Sequence, residues 1–362
     1  MAVVIGLVLV VVVAAAILGA KYFFGRAMFE PGTVAGRIAA VGESLDPVQR
    51  TDGEGPWQVA PGIALHHFAT GNGEDVVVVH GGPGIAPERP WRAAEQLPGV
   101  RLHFYHQRGC GLSTRPITAP PEGSTYQRIV AAEGRLGLAE QIADLERIRR
   151  LLGREKLVVV GHSFGALIAG LYAAEFPERV RALVLVAPAP LFVFPAADAE
   201  GDLFTTIRAR LPAEMQGEFD AYMKAYFDFP ALMKLDEARL SEFLGRLSRF
   251  YGAAAKMERK PEGPGPALGG WMQLGVYLSL GRSHDWTGAL KRVTAPVLVV
   301  HGEDDLQPRA ASEKVAALFP ASRLRAIAGA GHFVFDEQPE AFAAAVREFL
   351  ALPPERAAAA GN

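Results

Sequence analysis

A run of apolar, β-branched residues, Leu157 to Val160, ends at a serine held between two glycines in "GHSFG", Gly161 to Gly165. Such runs suit a strand buried on both faces, and core packing has no use for a hydroxyl at the strand's end. Strand, then G-x-S-x-G, then helical spacing is the context in which a serine is projected from a sheet edge as a nucleophile. That serine is Ser163.

A serine hydroxyl attacks poorly at neutral pH, so it needs a base and a group to orient the base. Both follow in the chain. "VLVVHGEDDLQP" places Asp304 and Asp305 directly after a late strand pattern, and "IAGAGHFVFDEQPEAF" places His332 in a small-residue loop after the next. Asp305, three residues after Gly302, is the expected orienter, with Asp304 as the alternative; without chemistry, either acid is a solvated carboxylate or a helix N-cap. His332 is the expected base, its bland reading being a loop histidine bonded to backbone. The negative oxygen of a tetrahedral intermediate needs a pair of donors. "HGGPG", His80 to Gly84, closes the "VVVV" strand pattern, and the amides of Gly82 and Phe164 are the expected oxyanion pair, with His80 and Gly81 shaping the loop. The order Ser, Asp, His along the chain is that of an α/β-hydrolase.

The elements needed to bring these residues together are legible. Strand-like runs start at Val76, Arg101, Lys156 and Arg181, and helical spacing lies in "GLAEQIADLERIRRLLG" and "ALIAGLYAAEFPERV". This alternation predicts an α/β fold, a mostly parallel sheet flanked by helices. The pattern breaks over 189–288, where "DEARLSEFLGRLSRFY" puts Leu240, Phe243, Leu244, Leu247 and Phe250 on one helical face. That reads as a helical cap inserted between a first core segment, 56–188, and a second, 289–352. A turn-rich loop, "PEGPGPALGG" from Pro261, is a candidate rim, and 353–362 is an Ala-rich tail.

The bulk properties exclude several classes. The chain has 362 residues, a formal net charge of −2 and one cysteine. No basic excess exists to neutralise phosphates, so nucleic acid is not an expected partner. One cysteine forms no internal disulfide and builds no thiolate metal site. His66, His67, His103 and His106 have no accompanying carboxylate cluster, so neither a metal nor another cofactor is assigned.

The N-terminus differs from an ordinary soluble domain. "MAVVIGLVLVVVVAAAILGA" carries no charged side chain before Lys21. In a helix, about twenty such residues reach about 30 Å, the thickness of a bilayer's apolar core. Residues 1–20 are therefore expected to be a single-pass transmembrane anchor, with a cleaved signal segment as the alternative. Lys21 and Arg26 follow the run and no basic residue precedes it, which points to a cytoplasmic catalytic domain, a secreted or periplasmic one being the alternative. Residues 21–55 read as a tether or as an arm lying on the domain.

Three segments, "HGGPG" at 80–84, "HQRGCGLSTRP" at 106–116 and "GHSFG" at 161–165, resemble the prolyl aminopeptidases, or proline iminopeptidases, of the α/β-hydrolase superfamily over roughly residues 56 to 350. The resemblance implies serine hydrolysis and release of N-terminal residues from short peptides. This chain has His106 where the family usually has Asp, and Phe164 where it commonly has Trp. The family holds the substrate's amino terminus with cap glutamates, and "GGWMQLGVYLSLG", at the corresponding place, carries no acid. Asp228, Glu214, Glu218 and Asp285 are cap acids that could substitute, though each reads more simply as a surface charge. Arg108 is expected to brace the loop beneath the site as a buried paired charge, and Cys110 to be a small packing residue. The expected partner is a short peptide or small molecule. The other readings are an esterase or lactonase acting on apolar acyl groups, and a membrane-tethered binding protein that keeps the fold without turnover. Oligomeric state has no signature in the sequence.

Overall fold

Valine runs that alternate between two apolar layers define the central sheet. In the computed structural model, which describes residues 26–49, 55–195, 202–256 and 268–351, a hairpin of β1 (Trp57–Ala60) and β2 (Ile63–Leu65) precedes β3 (His67–Gly71), β4 (Gly73–Val79), β5 (Gly99–Tyr105), β6 (Leu157–His162) and β7 (Val180–Val186). After β8 (Val193–Phe194) and β9 (His284–Asp285) come β10 (Val297–Gly302) and β11 (Ser322–Ile327). The main sheet runs β11-β10-β7-β6-β4-β5-β3. Its pairs are parallel except that of β3 with β5. Val77, Val79 and Val159 face one core cluster, and Val76, Val78, Val158 and Val160 the other. Side chains alternate in direction along a strand, so a continuous valine run fills both layers.

Parallel strands put all their C-terminal ends on one edge of the sheet, and loops leaving that edge form the site. The His80 loop leaves β4, Ser163 follows β6, Asp305 follows β10 and His332 follows β11. The helix Phe164–Glu175, apolar nearly all round, is almost entirely buried behind the sheet. The edge strand β3 escaped the sequence reading because "HFATG" is short and has no alternating apolar pattern.

The short ladder of β8 with β9 closes the neck of the inserted region. Between these strands lie helices Leu203–Arg210, Ala213–Tyr226, Phe229–Leu232, Glu237–Gly245, Leu247–Ala254 and Gly270–Leu280. The stretch expected as one helix, "DEARLSEFLGRLSRFY", is two. Gly245 is a poor helix former, and the Ser248 hydroxyl donates to its carbonyl at 2.7 Å, between the helices. The expected rim loop falls mostly on 257–267, outside the described residues.

The expected transmembrane segment, residues 1–20, also lies outside the described residues, as does the tail 353–362. Among the described residues, no helix is long and apolar enough to cross a membrane. Residues 26–49 lie against the domain. Phe29, Val34 and Leu45 are buried in the main core cluster. The Glu175 carboxylate accepts from the amides of Gly32 at 2.5 Å and Ala35 at 2.7 Å, at the start of helix Thr33–Val41. Arg37 reaches Glu140 at 2.8 Å.

Candidate active site

Ser163 stands between β6 and its helix at φ 54°, ψ −118°, a positive-φ conformation that a non-glycine residue adopts only under constraint. The constraint comes from both sides. Its amide donates to the Val186 carbonyl at 2.9 Å, and its carbonyl accepts from Ala166 and Ala189 at 3.0 and 3.1 Å. A Cβ on Gly165 would stand 2.1 Å from the Val79 carbonyl oxygen, so only glycine lets the helix start this close to β4. Ser163 is thereby half-buried at the rim.

His332 and Asp305 meet there. The Nδ1 of His332 lies 2.9 Å from Oδ2 of Asp305, both residues buried. An ionised carboxylate can only accept, so Nδ1 carries the proton and Nε2 presents its lone pair. The other Asp305 oxygen accepts from the Gln307 amide at 3.0 Å. Burial alone would push the Asp305 carboxyl up, but the charge and hydrogen bond of His332, with the Gln307 amide, hold it below the usual carboxylate range. Asp304 is exposed, its amide bonded to the Ala330 carbonyl at 2.8 Å. The structure thus brings Asp305, not its neighbour, to the imidazole.

The "HGGPG" loop packs directly on the serine. A Cβ on Gly81 would lie 2.8 Å from both the Ser163 Cβ and the His162 carbonyl oxygen. Gly82 follows at φ 118° and is exposed at the rim. Phe164 supplies the first amide of its helix, one of the donors that a helix start leaves without an intrahelical partner.

His80 locks the loop from within. Its Nε2 accepts from the Gln107 amide at 3.1 Å, so Nδ1 carries the proton and faces the Gly81 carbonyl at 3.1 Å. The Gln107 side chain returns a bond to the His80 carbonyl at 2.7 Å. Burial holds the His80 pKa down to about 3, leaving the ring neutral. Arg108 forks onto both oxygens of Asp144 at 2.8 and 2.6 Å and reaches Glu140 at 2.8 Å, joining the loop to helix Leu138–Leu151. His106 accepts the Leu112 amide on Nδ1 at 2.9 Å and meets the Pro87 carbonyl through Nε2 at 3.0 Å, so this departure from the family pattern bridges two loops. Burial pushes the Cys110 thiol up to about 12, and its sulfur donates to the Gln107 carbonyl at 3.2 Å.

Above the serine the cap is aromatic. Tyr277 sits edge-on to Phe164, with ring centroids 6.1 Å apart, and Tyr226 joins Tyr277 through hydroxyls 3.0 Å apart. Tyr251 lies 6.0 Å from the His332 ring, centroid to centroid. Three of the cap acids named from sequence are engaged elsewhere: Asp228 caps a short helix through the Ala231 amide, Glu218 pairs with Arg249 at 2.5 Å and Asp285 accepts the Thr287 amide, whereas Glu214 is exposed.

Sequence reasoning missed three residues that organise the rim: Gln107, His162 and Glu337. His162 occupies the variable position of G-x-S-x-G, where residue type carries no signal. Glu337 follows His332 by five positions, and an acid in the short helix after that histidine is the one cue available.

The chain belongs to the α/β-hydrolase fold family, whose model matches residues 76–339. It is a hydrolase, similar to the proline iminopeptidases. The proline iminopeptidase of Heyndrickxia coagulans is 26% identical over 300 residues, covering 77% of this chain and 91% of that protein. A putative 2-succinyl-6-hydroxy-2,4-cyclohexadiene-1-carboxylate synthase of Bacillus subtilis (strain 168) is 28% identical over 280 residues, 76% of this chain and 90% of that protein. The solved proline iminopeptidase of Mycobacterium smegmatis shares the fold, with a TM-score of 0.50 and 23% identity over 80% of this chain and 95% of its own.

Proposed function

We propose that the chain is a serine hydrolase working through an acyl-enzyme, and that its substrates are short peptides from which it releases the N-terminal residue. His332 takes the proton of Ser163 as the hydroxyl attacks the carbonyl carbon, and Asp305 holds the imidazolium that forms. The amides of Gly82 and Phe164 receive the oxyanion. On collapse His332 returns the proton to the leaving amine; water, deprotonated by the same ring, then attacks the acyl-enzyme and frees Ser163. The observation that carries the reading is the 2.9 Å bond from His332 to Asp305 at the rim where Ser163 stands in its strained turn. The proline iminopeptidase relatives and the "HGGPG" loop support the peptide substrate.

One observation favours the esterase or lactonase reading. The buried cap acid Glu237 accepts from the amides of Gly270 and Trp271, both at 2.9 Å, and from the Ser241 hydroxyl, and it pairs with Arg115. Its carboxylate is spent on the cap and is not offered to a substrate's amino group. Turnover of a proline arylamide against short acyl esters separates the readings, since only the peptidase needs a free amine. In either case a fluorophosphonate should label the protein and fail to label Ser163→Ala; no labelling of the parent protein would sink both and leave the non-catalytic reading.

We also propose that residues 1–20 anchor the enzyme in a membrane with the catalytic domain on the cytoplasmic side, on the strength of their composition. Membrane fractionation with an alkaline wash tests the anchor, and protease accessibility in intact cells tests the side.

A further inference from the structure

Glu337 takes part in neither the proton transfer nor the oxyanion loop, yet both its carboxylate oxygens are committed to the histidine loop. Oε2 accepts from the Gly331 amide at 2.6 Å and Oε1 from the Phe333 amide at 2.9 Å. These two amides flank His332. The carboxylate returns to the loop because the short helix Val334–Glu337 turns straight back on it: the amides of Asp336 and Glu337 both donate to the Phe333 carbonyl, at 2.8 and 2.9 Å. Two more polar groups of the histidine are engaged. Its carbonyl faces His162 Nε2 at 3.0 Å, and its ring nitrogen Nδ1 faces Asp305 at 2.9 Å.

Hydrogen bonds from amides to an ionised carboxylate are stronger than those between neutral groups. Glu337 is itself exposed, where an acid without a task would extend into water. Here one side chain binds the residues before and after the base, and so restrains the backbone on both sides of its Cα.

We propose that Glu337 is a positioning residue for His332: by binding the Gly331 and Phe333 amides it fixes the loop backbone so that the imidazole, bonded to Asp305, keeps the one orientation that serves Ser163. The inference rests on His332 acting as the base. Small displacements of a reacting group cost rate out of proportion to their effect on binding. Glu337→Ala is therefore expected to lower kcat on a short acyl ester by about 10- to 100-fold with KM little changed. Glu337→Gln, which keeps one acceptor and turns an N–H on the other amide, should recover part of that loss.

The second readout is the low-field proton resonance of His332 Nδ1, assigned by its loss in Asp305→Asn. It should be sharp in the parent enzyme and broadened in both Glu337 variants. A kcat for Glu337→Ala within about twofold of the parent, or a resonance as sharp, would overturn the positioning role while Ser163→Ala and His332→Ala remain inactive. If Glu337→Ala does not fold, Glu337→Gln carries the same two measurements, and parent-like values in it overturn the role. Full turnover in His332→Ala would instead remove the base assignment, and this inference with it.

Discussion

His162 and His332, 170 positions apart in the chain, are joined by a hydrogen bond: the ring Nε2 of His162 lies 3.0 Å from the His332 carbonyl oxygen. The residue before the nucleophile thus holds the backbone of the residue proposed as its base. Their rings also meet, with centroids 4.8 Å apart. Burial, reinforced by the nearby charge of His332, depresses the His162 pKa to about 3, so the ring stays neutral and its single N–H goes to the carbonyl. The elbow and the base loop therefore form one connected unit at the sheet edge.

That neutrality has a cost in acid. An unfolded histidine titrates near about 6.5, whereas folded His80 and His162 are both held near about 3. Below the unfolded value the unfolded chain takes up protons that the folded one refuses. Stability from these rings is thus full above about pH 6.5 and is lost as pH falls toward about 3. The melting temperature should drop between about pH 7 and about pH 4.5, and less steeply in His162→Gln, which keeps a donor near the same place without the charge. Equal slopes for the two proteins would contradict this.

The two adjacent acids should behave very differently. Asp305 is buried on the imidazole, whereas Asp304 is exposed. Asp305→Asn is expected to lower kcat by about 10³-fold or more, because an amide no longer fixes the tautomer. Asp304→Asn should stay within about twofold. Steady-state kinetics on one substrate decides the matter, and a reversed order would move the orienting role to Asp304.

Gly81 is predicted to be intolerant of a methyl group. The added Cβ would meet backbone and serine atoms at 2.8 Å, so the oxyanion loop or the elbow must shift. Gly81→Ala should lose about 10²-fold in fluorophosphonate labelling rate. Labelling at the parent rate would show that the loop can move without consequence.

The N-terminal arm is predicted to be part of the folding unit. Phe29 is fully buried and meets Trp286 edge-on at 5.7 Å. Phe29→Ala should destabilise the protein by about 3–5 kcal/mol in denaturant unfolding. A variant beginning at Arg26 should fold and hydrolyse esters, whereas one beginning at Gly55 should aggregate. Normal folding of the shorter chain would reduce the arm to a tether.

The sheet and the candidate site residues were legible locally. A doubly buried strand demands a continuous apolar run, so β4, β6, β7 and β10 could be recognised without their neighbours. Ser163 announces itself as a hydroxyl where packing needs none, and chain order then points to the Asp304–Asp305 pair and to His332 as its proposed partners. What escaped the sequence are groups defined by partners far along the chain. Helix Leu138–Leu151 has the charge content of a solvated helix, yet Glu140, Asp144, Glu146, Arg147 and Arg149 are buried. Arg37 and Glu43 of the arm reach two of them, and Arg108 of the "HQRGCG" loop meets two as well.

The chain order and residue types by themselves determined the α/β layering and pointed to the residues proposed as nucleophile, base and oxyanion loop. Periodicity and turn chemistry act over a few residues and leave a mark wherever they act. Only the tertiary structure decided that Asp305 rather than Asp304 meets the imidazole, that His162 and Glu337 hold its loop, and that the arm lies against the domain. Those outcomes depend on which groups become neighbours when strands pair side by side, and burial and hydrogen-bond partners are properties of that neighbourhood, not of the residue alone.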